Sequence, residues 1–185
     1  TVANLSFVGG VYFGTQTIHG DVDGTGGSFA GAGTATFASG STLNFASTSF
    51  EDFNGRALVN AAGSTVNWSN TGNTFGRIRT GNGAVLTNAG QWNDKNAFAT
   101  QITDDFGGTT STFANTGTYT KTGDATTQIL IDTTNSGTID VKAGALVLGH
   151  TVNSSLIDLE AGTLVIGAGT NSGEMKAGAG GTVNI

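Results

Sequence analysis

The side chains of this sequence that could do chemistry are few, and the densest group of them lies in one irregular stretch. The segment QWNDKNAFATQITDDFGGTTST (residues 91–112) contains Asp94, Lys95, Asp104 and Asp105. Enzymes that cleave polysaccharides use paired carboxyl groups as acid, base or nucleophile, and several such groups must converge. The chain has only seven Lys and Arg residues, so convergence of this kind is not expected. We therefore predict a contact surface at this stretch, with no catalytic residues and no enzyme activity.

One pair of carboxylates raises the question of a metal site. Asp21 and Asp23 are two residues apart in GDVDGTGG and are followed by glycine. Calcium loops alternate carboxylates in this way because the hard cation takes several oxygen ligands. The rest of an EF-hand loop is missing, so a solvated glycine turn is preferred and calcium is the weak alternative. His19 and His150 have no partners at a metal-ligand spacing, and no cofactor is expected.

The charge of the chain limits its partners. The net charge is −6, and the acidic residues are scattered. Binding to nucleic acid or to an anionic membrane surface needs clustered Lys and Arg, so neither partner is expected. Arg77 and Arg79 alternate along one segment and could bind an anion, although two solvated charges are the simpler interpretation. No apolar run approaches ~18 residues, so no membrane-spanning helix is expected.

A sequence repeat must position these side chains. The tripeptide Asn-x-Gly, or its variant Asn-Ser-Ser, recurs along the chain and begins at Asn70, Asn88, Asn115, Asn135, Asn153 and Asn171. By subtraction, successive residue numbers differ by 18, 27, 20, 18 and 18. Asparagine tolerates the backbone of a corner, and its amide can hydrogen-bond to an identical amide one repeat away. We predict that these six side chains form a stacked ladder.

Each repeat has the alternation of half-buried β-strands. Ile139 and Val141 are apolar on either side of Asp140, a small Ala-Gly turn follows, and a second alternating segment contains Leu146 and Leu148. A unit of about 18–20 residues cannot bury its own apolar face, whereas a stack of units can. The sequence therefore predicts a single-domain, all-β, right-handed parallel β-helix, or β-solenoid, with about 18–20 residues per coil and roughly eight or nine coils.

The apolar core of such a coil follows from the same alignment. One column, four residues after successive asparagines, contains Trp92, Tyr119, Ile139, Ile157 and Met175. We predict that these residues are stacked in the core, and that Trp68 lies in a second column with Phe45, Leu148 and Ile185. Tryptophan rings that face outward and stack on sugars are the alternative.

Other folds and several irregular regions have to be weighed. The repeat length also suits a left-handed β-helix of three hexapeptides per coil, but sustained hexapeptide spacing of apolar residues is missing. A β-sandwich has many short strands too, but it does not explain the equal spacings. Residues 1–26 are expected to form irregular first coils, residues 91–112 a protruding insertion, and residues 47–54 a further irregular segment.

The repeat units resemble those of a known group of proteins. The segment NSGTIDVKAGALVL (residues 135–148) aligns with NSSLIDLEAGTLVI (residues 153–166). Units of this form are similar to the β-helical repeats of bacterial autotransporter passenger domains and filamentous-haemagglutinin-like adhesins. The resemblance implies a right-handed parallel β-helix at the bacterial surface or outside the cell, working as a stalk, adhesin or fibre, with host or surface glycans as possible partners.

These observations lead to one main expectation and two alternatives. The sequence closes on the strand-like segment GGTVNI without a capping element, and an uncapped coil exposes a hydrogen-bonding edge. We expect end-to-end self-association, or continuation in a longer chain. The first alternative is a carbohydrate-binding or carbohydrate-active β-helix. The second is ice binding through Thr34, Thr36, Thr118, Thr120 and Thr122, although Ile139, Ile157 and Met175 are expected to interrupt that face.

Overall fold

The chain winds into a single β-solenoid. The computed structural model describes residues 2–7, 9–46, 49–70, 72 and 76–185. These residues form 21 strands in one parallel sheet that coils through about eight turns, and they contain no helix. Because every strand pairs with the strand one coil away, the fold has no separate layers. The core is the space enclosed by the coils.

The strands follow one another at short intervals. In chain order they are β1 (Val2–Phe7), β2 (Val11–Tyr12), β3 (Gln16–Gly24), β4 (Gly27–Ala30), β5 (Thr34–Phe37), β6 (Thr42–Phe45), β7 (Glu51–Asn54), β8 (Ala57–Asn60), β9 (Thr65–Trp68), β10 (Ile78–Gly81), β11 (Val85–Asn88), β12 (Gln91–Asp94), β13 (Thr100–Asp104), β14 (Thr112–Asn115), β15 (Thr118–Lys121), β16 (Thr126–Ile129), β17 (Asp132–Asn135), β18 (Thr138–Val141), β19 (Ala145–Asn153), β20 (Leu156–Asn171) and β21 (Glu174–Asn184).

Strand pairing defines three faces. Face 1 stacks β2, β4, β7, β10, β13 and β16. Face 2 stacks β5, β8, β11, β14 and β17. Face 3 stacks β6, β9, β12, β15 and β18. The longer strands β1, β3, β19, β20 and β21 bend around corners and contribute to two or three faces each.

Coil length varies along the stack. One outward column of face 3 pairs Asp23, Asn44, Asn67, Asn93, Thr120, Asp140 and Asp158. By subtraction, the residue numbers of successive members differ by 21, 23, 26, 27, 20 and 18. The predicted coil length therefore describes only the later coils. The middle coils are longer, and their additional residues lie at the corners between strands.

The predicted insertion at residues 91–112 therefore needs correction. Strand β12 pairs with β9 and β15, and β13 pairs with β10 and β16. Both strands continue the sheet because their alternating side chains match the pleat of the neighbouring coils. Only residues 95–99 and 105–111 form longer corners, so the stretch does not protrude as a whole.

The other two irregular regions are also largely part of the coil. Within residues 47–54, β7 pairs in register with β4 and β10, whereas residues 47 and 48 lie outside the described residues. Within residues 1–26, β3 pairs in register with β5 and β6. An irregularity is present at the start, where the pairing of β1 with β3 shifts register between Ala3 and Leu5. Residues 1 and 8 lie outside the described residues.

The core columns contain most of the predicted residues. On face 3, Trp92 pairs with Tyr119, and the column continues through Ile139 and Ile157 to Met175. The first four of these side chains are buried, and Met175 is partly buried against them. Trp92 stands edge-on to Trp68 at 6.5 Å between ring centroids. Stacked and edge-on aromatic contacts of this kind add to the apolar burial that holds the coils together.

The second predicted column, with Trp68, Phe45, Leu148 and Ile185, does not form as a single column. Trp68 pairs with Phe45 and with Asp94 on face 3, not with Leu148. Leu148 lies on face 1, and Ile185 is 88% exposed. The segments containing Phe45 and Trp68 resemble the last residues of the chain because all of them are alternating strands, but they occupy different faces of the coil.

A ladder of amides, buried except at its last member, runs along the corner after face 2. Each Nδ2 donates to the Oδ1 of the next member at 2.6–2.7 Å, through Asn60, Asn88, Asn115, Asn135, Asn153 and Asn171. The ladder begins at Asn60, and the predicted Asn70 lies elsewhere, where its backbone N–H donates to Asn96 Oδ1 at 2.6 Å. Asn60 takes the first place in the ladder because β8 pairs with β11. Asn60 and Asn88 are therefore direct register partners, although 28 residues separate them along the chain.

The glycine of the Asn-x-Gly repeat is explained by a close approach of two backbones. A Cβ at Gly137 would collide with the carbonyl oxygen of Gly117 in the preceding coil. Ser155 occupies the equivalent place one coil later. The hydrogen bond between the coils there, from Leu156 N to Gly137 O, is 3.3 Å long, whereas the equivalent bond at Gly137, from Thr138 N to Gly117 O, is 2.8 Å long. Glycine therefore permits the tightest stacking of the corner next to the ladder.

Candidate functional site

Asp94 lies in the core rather than on a contact surface. Its side chain is fully buried, between Trp68 and Lys121 in one inward column of face 3. The Tyr119 hydroxyl group donates to Oδ2 at 2.8 Å, and Lys121 Nζ lies 3.6 Å from the same oxygen. The backbone N–H and Nδ2 of Asn96 donate to Oδ1 at 3.1 and 2.7 Å. The carboxylate is thus satisfied on both oxygens.

Burial controls the ionisation of this cluster. Burial, with the Asp94 carboxylate beside it, raises the pKa of Tyr119 well above its ordinary value, so the hydroxyl group remains a donor. Burial lowers the pKa of Lys121, and the nearby Asp94 carboxylate opposes that shift. Lys121 Nζ also donates to the carbonyl oxygen of Gly123 at 2.8 Å. A buried ion pair with this many hydrogen bonds is a structural element of the core.

The other three residues of the predicted contact surface are dispersed. Lys95 donates to Asn67 Oδ1 at 3.0 Å on face 3. Asp104 accepts from the Thr80 hydroxyl group at 2.9 Å and from Ser111 N at 3.0 Å. Asp105 forms an ion pair with Arg77 at 2.8 Å. These groups are close along the chain, but the coil directs them to different places.

The calcium candidates lie in an ordinary strand. Asp21 and Asp23 occupy alternate positions of β3, and Asp23 Oδ1 accepts a hydrogen bond from Asn44 Nδ2 at 2.8 Å. Within the described ranges, no group of three or more His, Cys, Asp or Glu side chains is placed to hold a metal ion. The Asp140 carboxylate, stacked on Asp158, pairs with Lys142 at 2.9 Å.

A groove lies on face 1. It has a volume of about 560 Å³ and is lined by Phe50, Arg77, Ala99, Thr100, Gln101, Thr126 and Gln128. Gln101 and Gln128 are register partners on β13 and β16. Glu51, Ile78 and Ile102 are register partners in successive coils. The residues that precede them are therefore stacked in the same order, as Phe50, Arg77 and Gln101.

Phe50 and Arg77, which line this groove, belong to a cluster of arginine and aromatic side chains. Arg79 makes a bidentate ion pair with Asp52, at 2.7 Å from Nε and 2.6 Å from an amino nitrogen. Its guanidinium group lies 4.0 Å from the centroid of the Phe50 ring and 5.2 Å from that of Phe106. The hydrogen bond to Asp52 raises the pKa of Arg79. With Arg77 paired to Asp105, two cations face two carboxylates and the cluster is neutral.

A buried carboxyl group lies directly behind Phe50. Glu51 faces inward and is 2% exposed. Burial raises the pKa of Glu51 to about 8. A backbone hydrogen bond from Gly26 partly opposes this rise, and the Asp52 carboxylate reinforces it. The group is therefore protonated at neutral pH. Sequence reasoning had no signal for Glu51, Gln101 or Gln128, because single polar residues in a strand belong to no motif.

The core positions predicted for both tryptophans are confirmed, and the alternative of outward platforms is not available to sugars. Trp68 is 1% exposed and Trp92 is 0% exposed. Phe113 packs edge-on against Trp92 at 5.4 Å between centroids and against Tyr119 at 5.9 Å. A sugar could not stack on either tryptophan without opening the core, so any carbohydrate site has to lie elsewhere.

The threonines considered for ice binding lie on two faces. Thr34 and Thr36 belong to face 2, whereas Thr118 and Thr120 belong to face 3. The expected interruption by Ile139, Ile157 and Met175 was wrong, because these side chains point into the core. On face 2, one outward column is free of charge over eight coils and consists of Thr17, Thr36, Val59, Thr87, Ala114, Thr134, Val152 and Thr170.

Comparison of the chain with protein-family models, with curated proteins and with solved structures found no match. Across the part of the chain that the structure describes, no helix has the length and apolar character needed to cross a membrane.

Proposed function

We propose that this protein is a structural and interaction protein, a rod-like β-solenoid segment of an extracellular bacterial adhesin or self-assembling fibre. The observation that carries the proposal is the continuous coil-on-coil register, in which the amide ladder from Asn60 to Asn171 spans six coils without a break. About eight turns at ~4.8 Å each give a rod of about 38 Å. Its setting at the bacterial surface rests on the resemblance of the Asn-Ser-Gly units described above.

The composition of the ladder suits a rod that has to resist extension. Each internal amide donates to the next amide and to a backbone carbonyl group, as Asn115 Nδ2 does to Asn135 Oδ1 at 2.7 Å and to Thr138 O at 2.9 Å. The amide–amide bonds from Asn60 to Asn153 are buried, and all of these bonds connect successive coils, in parallel with the backbone pairing of the three faces. Separating two coils would leave all of these groups without partners, which is costly in a dry core.

The proposed mode of assembly is end-to-end stacking. Strand β21 pairs with β20 along one edge, and no other described strand pairs with it. The partly buried residues Met175 and Val183 pack on the core from one side, and a cavity of about 230 Å³ lies beside Met175 and Ile185. An open strand edge above an apolar surface favours pairing with another coil. A contact between one end of a subunit and the opposite end of the next is heterologous, and in a fibre of identical subunits it repeats without closing into a ring.

Electron microscopy and sedimentation of the purified chain test the proposal. We expect unbranched filaments of constant width at neutral pH. The variant Met175→Lys, which directs a charge into the end of the core, should give short separate rods. Thr182→Lys adds the same charge to an exposed outward position of the same coil and should retain filaments. Separate rods of wild-type protein at every concentration would overturn end-to-end self-association.

A second candidate function, ice binding, is favoured by the uncharged outward column of face 2. Threonine, valine and alanine repeat there at the spacing of the coils, ~4.8 Å. A thermal-hysteresis measurement checks this candidate, with Thr87→Lys as the variant that should abolish an effect and Thr120→Lys, on face 3, as its control. Absence of thermal hysteresis in wild-type protein would exclude it.

A further inference from the structure

We propose that the groove on face 1, between Phe50 and Gln128, is a binding site for a neutral oligosaccharide. The site differs from the tryptophan platforms that the sequence suggested. It also goes beyond the proposed rod function and does not depend on it, since the groove runs along the side of the stack and leaves both ends untouched.

The first step concerns the arrangement of the lining residues. Phe50, Arg77, Gln101 and Gln128 are successive members of one outward column, one from each of four coils. Three steps of ~4.8 Å give this column a length of about 14 Å. A second outward column beside it contains Ala99 and Thr126. The groove is therefore elongated along the coil axis, and its shape suits a short chain of linked units better than a single small molecule.

The second step concerns the polar groups. Gln101 and Gln128 are partly exposed, and neither side-chain amide makes a hydrogen bond to another described residue. An amide offers two donors and an acceptor in one plane. Adjacent hydroxyl groups of a sugar each donate and accept, so two amides one coil apart can bind successive sugar units. The Thr100 hydroxyl group is already used, because it donates to Gly76 O at 2.9 Å.

The third step concerns the aromatic ring. Phe50 is partly exposed in the groove, and the guanidinium groups of Arg79 and Arg77 lie 4.0 and 5.0 Å from its centroid. These contacts fix the orientation of the ring. The part of the ring that the guanidinium groups leave exposed lines the groove, and the apolar C–H groups of a sugar can pack against it while the hydroxyl groups point away. An aromatic residue at one end and amides further along are thus the two kinds of contact that an oligosaccharide needs.

The charge of the groove selects a neutral sugar over an acidic one. Arg77, which lines the groove, is paired with Asp105 at 2.8 Å. Arg79 is held by both oxygens of Asp52. An acidic sugar would have to compete with these carboxylates for the guanidinium groups and would meet their negative charge, whereas hydroxyl groups meet no such penalty.

Affinity electrophoresis in gels that contain a soluble polysaccharide tests the inference on the intact protein. The neutral probes are β-glucan and galactomannan, and the acidic probe is polygalacturonate. We expect one of the neutral polysaccharides to retard the wild-type protein. The double variant Gln101→Ala/Gln128→Ala and the single variant Phe50→Ala should each weaken binding about tenfold or more. The matched control is Thr118→Ala/Thr138→Ala, which removes two outward, register-paired side chains from face 3 and should bind as wild type does.

Each outcome decides for or against the inference. Circular dichroism of all variants verifies folding, and the partly exposed positions of both glutamines make loss of folding unexpected. Retardation that is lost in the face 1 variants and kept in the face 3 control supports the site. No retardation by either neutral polysaccharide, equal binding by all variants, or tighter binding of polygalacturonate overturns it. None of these results depends on whether the chain forms filaments, so failure of the rod proposal is seen separately by electron microscopy.

Discussion

Lys121 Nζ lies 3.6 Å from Asp94 Oδ2 in the middle of the core, and both side chains are fully buried. The two residues are register partners on β15 and β12, one coil apart. The polar pair lies in a column with Phe45 and Trp68 in the coils before it and Val141 and Leu159 in the coils after it. The core of this solenoid is therefore mixed, with one ion pair held between aromatic and aliphatic residues.

Removing one partner of this pair should be strongly destabilising. Lys121→Met leaves the Asp94 carboxylate buried without its cation, and we expect the free energy of unfolding to fall by about 3–5 kcal/mol. The double variant Asp94→Asn/Lys121→Met removes both charges and should recover part of that loss. Urea denaturation of the wild type, both single variants and the double variant measures the coupling. Lys142→Met, which removes an exposed ion pair with Glu160, is the control and should have a much smaller effect.

The amide ladder gives a second prediction. Asn115→Ala removes the amide between Asn88 and Asn135 and leaves buried groups without partners. We expect a loss of about 2–4 kcal/mol in the free energy of unfolding, because each unsatisfied buried group carries its own desolvation cost. Asn67→Ala interrupts a comparable but partly exposed row, between Asn44 and Asn93, where water can replace the amide, and should cost about 1 kcal/mol or less. Equal losses in the two variants would contradict a special role of the buried ladder.

The buried carboxyl group of Glu51 makes stability depend on pH. Its pKa is raised from 4.5 to about 8 in the folded chain. Between these values the folded state holds a proton that the unfolded state has released, so the free energy of unfolding should fall as the pH rises from about 5 to 8. Glu51→Gln keeps a neutral side chain at every pH and should remove most of that fall, with a higher Tm than wild type at pH 8.

Thermal unfolding at pH 5, 6, 7 and 8 measures this effect. The control variant Glu160→Gln changes a carboxylate whose side chain is 54% exposed, and it should retain the pH dependence of the wild type. A Glu51→Gln variant with an unchanged pH profile would show that the carboxyl group is ionised in the folded protein.

The buried tryptophans give a prediction that fluorescence can check. Because Trp68 and Trp92 are at most 1% exposed, we expect blue-shifted emission and weak quenching by acrylamide. Soluble β-glucan or galactomannan should leave the emission maximum unchanged, since the proposed groove does not include either ring. A red-shifted spectrum with strong quenching would mean that at least one indole ring faces the solvent, and would restore the tryptophan platform as a sugar-binding site.

The sequence by itself determined the kind of coil and the later part of its core. Alternation with period two is a local property, so Ile139 and Ile157 could be placed inward before their neighbours were known. The ladder residues from Asn135 to Asn171 are equally spaced, and every member from Asn88 onward begins an Asn-x-Gly or Asn-Ser-Ser tripeptide, which is why these members could be recognised. The physical reason is that each of these coils repeats the same contacts with the coil before it.

Only the tertiary structure decided which residues share a column in the longer coils. The turns that carry face 3 from Asn44 to Thr120 are longer than the later ones, and the extra residues at each corner have to be known before a strand can be aligned. A shift of one residue in the pairing register of a strand would turn each of its side chains from the core to the solvent, or the reverse. The inward position of Asp94, the place of Asn60 in the ladder and the stacking of Gln101 on Gln128 all follow from backbone pairing between coils, which no single coil encodes.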